Sequence, residues 1–247
     1  SIEPDTDAIV LGTVLTRVVP CLEVAEGRVV GKEHVPGLED ASDPAELARA
    51  YDDRGADEIV LLDAGAASQR ERTIEAVRAV TSIPLTVGGG IVSFEDASRA
   101  TSAGADRVVI DGTRTALVAE VAARFGRTST VAAIDARKKG TGWEVAAGID
   151  ALGSAADAAA HGAGEVLLTT VGDDGARAPY DLDLVRAVRA KVGVPLLASG
   201  RWSDPAELVA AVEAGADGVL AAPSSERELG IGAIKEAMER RGIAVRR

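Results

Sequence analysis

Gly104-Ala105-Asp106-Arg107-Val108-Val109-Ile110-Asp111 is the stretch that decides the fold. The glycine supplies the turn that ends a helix. The residues after Arg107 then form a short apolar strand that stops at an acid. The same tag recurs as Gly55-Ala56-Asp57-Glu58, Gly162-Ala163-Gly164-Glu165 and Gly215-Ala216-Asp217-Gly218. Helix-length segments rich in Ala, Glu and Arg alternate with short apolar runs along the whole chain. Such alternation predicts right-handed βαβ units and a parallel sheet. Strands are predicted near 18–24, 59–63, 84–87, 107–111, 130–135, 165–170, 195–199 and 218–222. Eight units in 247 residues predict an α/β fold, a (β/α)8 TIM barrel.

Helix starts support this. Asp43-Pro44 and Asp204-Pro205 each place an N-cap before a proline at the first helical position. The chain also repeats over long range. The separations 215 − 104 and 195 − 84 are both 111, and Glu23 and Asp135 stand 112 apart (135 − 23). The prediction is one barrel over 15–247, built from half-barrels of about 15–125 and 126–247. Residues 1–14 read as an N-terminal arm.

Hydrophobic residues make up 47% of the chain and aromatics 2%. The core is therefore aliphatic, as a helix-covered parallel sheet requires. A formal net charge of −12 repels nucleic acid and anionic membrane, so neither is expected as a partner. Cys21 is the only cysteine, and His34 and His161 are far apart in sequence. This predicts no disulfide and no cysteine or histidine metal site, and no cofactor is expected. The acidic start is unlike a signal peptide and no apolar run reaches about 18 residues, so a cytoplasmic protein is expected.

Barrel chemistry sits at the C-terminal ends of the strands, where side chains alternate inward and outward. Glu23 ends strand 1 and Asp135 ends strand 5, on opposite sides of the mouth. Two such carboxylates suit general acid/base catalysis, or each caps a loop or pairs with an arginine such as Arg137. Gly88-Gly89-Gly90 follows strand 3, and its counterpart Ser199-Gly200-Arg201-Trp202 follows strand 7. With Asp111-Gly112 after strand 4, Thr169 on strand 6 and Ser224 after strand 8, these loops are candidate anion and substrate contacts. Arg201 is a candidate fork for carboxylate or phosphate, and Trp202 a stacking plate. At the strand beginnings, parity turns Arg17, Glu58, Arg107 and Glu165 inward if Glu23, Asp111 and Thr169 point inward at the top. Paired, these charges would plug the floor.

Several of these segments carry a family resemblance. Arg17-Val18-Val19-Pro20-Cys21-Leu22-Glu23-Val24, Pro84-Leu85-Thr86-Val87-Gly88-Gly89-Gly90-Ile91, Ala133-Ile134-Asp135-Ala136, Gly164-Glu165-Val166-Leu167-Leu168-Thr169 and Gly242-Ile243-Ala244-Val245-Arg246 resemble the cyclase subunit of imidazole glycerol phosphate synthase. The resemblance covers nearly everything after residue 14. It implies a barrel that takes ammonia from a glutaminase partner under the floor, through a gate matching Arg17, Glu58, Arg107 and Glu165. It also implies lyase and cyclase chemistry on a bisphosphate, with acid/base residues matching Glu23 and Asp135.

The chain resembles a diverged member, because it departs from the family pattern at the mouth. Glu23 replaces an aspartate and is one methylene longer. Gly31-Lys32 appears in swapped order, and His34 replaces an asparagine. Asp111-Gly112 replaces an asparagine–threonine phosphate contact. Asp174-Gly175 keeps an acid and a glycine but loses the residues around them. Arg201-Trp202 replaces a glycine-rich loop, and Pro223 a serine. A preserved floor under a rewritten mouth implies an ammonia-using paralogue with another phosphorylated or carboxylated substrate. The alternatives are a pseudo-enzyme that binds or regulates a glutaminase, and a sugar-phosphate isomerase like the sister enzyme of the pathway.

Overall fold

The computed structural model describes residues 15–30, 42–221 and 230–246. Eight parallel strands form its centre: β1 (Arg17–Ala25), β2 (Ile59–Asp63), β3 (Leu85–Gly88), β4 (Arg107–Asp111), β5 (Thr130–Lys139), β6 (Glu165–Thr170), β7 (Leu196–Ser199) and β8 (Gly218–Ala221). Each pairs with its sequence neighbours, and β8 returns to β1 with Arg17 opposite Gly218, so the barrel closes. Closure leaves the eight barrel strands without an open edge among the described residues. The predicted arm at 1–14, Lys32, His34, Pro223 and Ser224 lie outside the described residues.

The strands are short because each is cut by turn chemistry at both ends. The eight helices are α1 (Pro44–Asp53), α2 (Ala67–Arg78), α3 (Phe94–Ala103), α4 (Thr115–Phe125), α5 (Ala151–Ala160), α6 (Leu182–Arg189), α7 (Pro205–Glu213) and α8 (Ile231–Arg240). Asp43 caps α1 by accepting from the Ala45 and Glu46 N–H groups, and Asp204 caps α7 through Ala206. After the helix-ending tags, Asp57, Asp106 and Asp217 accept the backbone N–H of Val18, Leu85 and Leu196. Each aspartate thus ties a loop to a neighbouring strand.

Two cores result from the strand alternation. Val19, Cys21, Val60, Val109, Val131, Leu167, Leu197 and Leu220 fill the barrel. The opposite parity, including Leu22, Leu61, Val87, Ile110 and Leu168, packs against the helices. Val19 and Cys21 inside place Arg17 and Glu23 at the two ends of one inward row. Among the described residues no helix is long and apolar enough to cross a membrane.

One feature was not predicted. β5 runs on to Lys139 and folds back on Gly142–Val145, pairing Arg137 with Glu144, before Ile149–Asp150 adds a third short strand. This excursion is pinned by Trp143 Nε1, which donates to Asp181 Oδ2 at 2.7 Å.

Candidate active site

At the floor the four predicted charges form a closed ring. Arg17 donates to Glu58 at 2.8 Å and to Glu165 at 2.9 Å. Arg107 reaches the same two carboxylates at 3.1 Å each, through a single nitrogen. Thr86, on β3, donates its hydroxyl to the remaining Glu58 oxygen at 2.5 Å. Glu58 is 1% exposed, and its carboxylate is both ion-paired and hydrogen-bonded, as a buried charge requires. Burial raises the Glu165 pKa above the usual carboxylate value, although Arg17 pulls it down. Burial also works against the Arg17 charge, but Glu165 and Glu58 outweigh it and the Arg17 pKa is raised.

At the mouth Glu23 on β1 and Asp135 on β5 lie on opposite sides of the ring of eight, neither at the end of its strand, since β1 runs to Ala25 and β5 to Lys139. Glu23 is not free: its Oε1 accepts from Arg177 Nη2 at 2.7 Å. Arg177 comes from the segment after β6, where Val171 and Arg177 form an antiparallel bridge. Its guanidinium also meets Cys21. Burial opposes its charge, yet Cys21 and Glu23 more than compensate and raise its pKa. Asp135 faces Thr169 across the β5–β6 pair. Asp135 is exposed at the surface and lines a cleft together with the apolar Leu62, Val109 and Leu167. Burial raises its pKa; the Thr169 hydrogen bond lowers it, the Asp111 charge raises it and the Arg177 charge lowers it, and the net direction is up. A carboxyl that holds its proton longer than usual is suited to donate it. Arg137 is not its partner. Arg137 forks onto Glu144 at 2.7 and 3.0 Å instead.

Asp135, Asp111 and Thr169 share a cleft of 430 Å³ with Gly89, Gly90 and Arg114. Gly89 has φ +84°, and a Cβ there would meet the Asp63 backbone at 2.5 Å, so only glycine fits. The carbonyls of this loop turn to the buried Arg70, which donates to Gly89 O at 2.9 Å. Gly88 belongs to β3 and packs on the barrel interior beside Leu62 and Val109. Arg114 was missed in the sequence. It precedes α4, lines the cleft and donates to Val92 O at 3.2 Å.

Several predicted anion contacts have their backbone donors occupied. Gly112 N–H binds Ala133 O, and Thr113 N–H binds Asp111 Oδ1. Gly175 N–H binds Gly172 O, while Asp174 Oδ1 accepts from Ala176, so this pair builds its own turn. Arg201 N–H binds Ala178 O at 2.7 Å, and its side chain is exposed. Gly200 lies under the Tyr180 ring, whose hydroxyl donates to Leu220 O at 3.1 Å. Ser199 is buried. Trp202 requires a correction. Its ring is 8% exposed and packs in the outer hydrophobic core, so it offers no stacking plate. Its apolar area outweighs its place in a loop.

Known proteins match this arrangement along the chain. The histidine biosynthesis protein family matches residues 17–224. Imidazole glycerol phosphate synthase subunit HisF of Frankia casuarinae is 44% identical over 253 residues, covering 95% of this chain and 100% of that protein. The same subunit of Streptomyces coelicolor is 44% identical over 250 residues, with the same coverage. That of Mycobacterium tuberculosis is 42% identical over 264 residues, covering 98% of this chain and 99% of its own length. With a closed eightfold barrel, a ring of paired charges at its floor and near full-length identity above 40% to these subunits, the chain belongs to the histidine biosynthesis protein family and within it to the HisF subunits.

Proposed function

We propose that this barrel is an ammonia-using cyclase/lyase, coupled to a glutaminase subunit at its floor and acting on a phosphorylated or carboxylated small molecule. The observation that carries the reading is the row Arg17-Val19-Cys21-Glu23. It joins a closed ring of four charges to a mouth where burial raises the Asp135 pKa above the usual carboxylate value. Arg17, Glu58, Arg107 and Glu165 are the gate through which ammonia enters. Asp135 is the acid/base group, with Glu23 as the second carboxylate of the mouth. Arg114 and the Gly89-Gly90 loop offer the anionic end of a substrate its cation and its close backbone approach.

The test is to supply the histidine-pathway bisphosphate intermediate with ammonium salt and follow the imidazole product. Turnover that is lost in Asp135→Asn supports the family reaction and removes the case for a new substrate. No turnover overturns the ordinary reaction for this chain. If a glutaminase is then stimulated on mixing, the barrel is a regulatory scaffold. The Glu23–Arg177 ion pair favours that second reading, because it engages one of the two carboxylates.

A further inference from the structure

The two mouth carboxylates are not equivalent, and the difference lies in Arg177. Glu23 accepts from Arg177 at 2.7 Å, whereas Asp135 feels the same cation only through its field and hydrogen-bonds Thr169. Arg177 is held in place by its backbone. Ala178 N–H binds Thr170 O at 2.9 Å, Gly172 N–H binds Ala176 O at 2.8 Å, and Val171 bridges Arg177. Its Nε is buried without a hydrogen-bond partner. The guanidinium is therefore steered by the groups at its tip, Glu23 and Cys21. An aspartate at position 23 would end one methylene short of this contact.

We propose that Glu23 is a positioning residue that acts through Arg177, holding the cation away from Asp135 so that Asp135 alone moves the proton. Among the described residues, the charged groups that bear on Asp135 are Asp111 from β4, Arg177 after β6, Glu23 from β1 through Arg177, and Arg114 in the same cleft. Arg137, farther along β5, is spent on Glu144. Without the Glu23 carboxylate, Arg177 turns to the remaining acid in its field. Asp135 is then neutralised by an ion pair and retains its proton less well.

The proton's use in catalysis rests on the cyclase/lyase reading, but the contacts do not, and the experiment needs no turnover. The Asp135 carboxyl is followed by carbon-13 NMR across a pH titration of the whole chain, assigned by its absence in Asp135→Asn. Glu23→Gln and Glu23→Asp move its midpoint down. Arg177→Met moves it up, and Arg177→Lys, which keeps the cation, leaves it near the starting protein. Glu23→Asp keeps the charge and only shortens the arm, so its downward shift is the signature of positioning that the loss of a charge alone does not give. Melting temperatures establish that each variant is folded. A midpoint that stays fixed in Glu23→Asp, or that moves the same way in Glu23→Gln and Arg177→Met, overturns the proposal. A failed turnover assay leaves this result standing and bears only on the reaction.

Discussion

Both ends of the barrel are lined by charge, but only the floor closes on itself. Arg17, Glu58, Arg107 and Glu165 satisfy one another in a ring, with the glutamates buried. At the mouth, Glu23 has one arginine, Asp111 turns to its own loop, and Asp135 has no cation in direct contact among the described residues. A balanced buried ring is a structural unit whose members stand or fall together. An unbalanced open set leaves one group with a shifted affinity for a proton, which is what chemistry needs.

The sharpest way to break the comparison is Glu58→Gln. It leaves two arginines facing one glutamate at the floor, and chemical denaturation should show a loss of about 3–5 kcal/mol. Asp135→Asn strikes the mouth instead. Rates of any turnover should fall about 100- to 10,000-fold, while stability at neutral pH is kept or rises. The sign follows from the raised Asp135 pKa. The folded chain binds the proton more tightly than the unfolded one. Stability therefore falls as pH rises from the ordinary aspartate value to the raised one. Removing the titrating carboxyl in Asp135→Asn flattens that part of the pH–stability curve. Gly89→Ala forces a side chain into φ +84° against the Asp63 backbone. It should cost about 1–3 kcal/mol in a denaturant titration and weaken anion binding in the same preparation. Smallest is Glu23→Gln, whose half-exposed pair should contribute under about 1 kcal/mol to melting. A loss as large as that of Glu58→Gln would erase the distinction between the two ends.

The barrel was legible because its signals are local. Each strand is a short apolar run, and the Gly-Ala-Asp tags mark where helices stop. Alternation then placed Arg17, Glu58, Arg107 and Glu165 on the inner face, and geometry brought them within 3.1 Å or less. The mouth was less legible because its contacts are long-range. Arg177 and Glu23 are 154 residues apart, and no spacing rule links them. Arg114 was lost among ordinary helix-start residues. The Gly142–Val145 strand pairs with an extension of β5 across a two-residue turn at Gly140-Thr141, a hairpin signal present in the sequence but masked by the eightfold strand–helix alternation. Trp202 sits in a loop beside the exposed Arg201, and only its long-range packing against the outer core turns it inward.

The layer between the two ends has its own consequence. Val19, Cys21, Val60, Val109, Val131, Leu167, Leu197 and Leu220 make a buried apolar sleeve above the charged ring. A bare ion entering such a sleeve forfeits hydration on the order of tens of kcal/mol, whereas a small neutral amine forfeits only a few hydrogen bonds. Under the proposed ammonia-using function, this layer would admit the neutral molecule and turn back the ammonium ion.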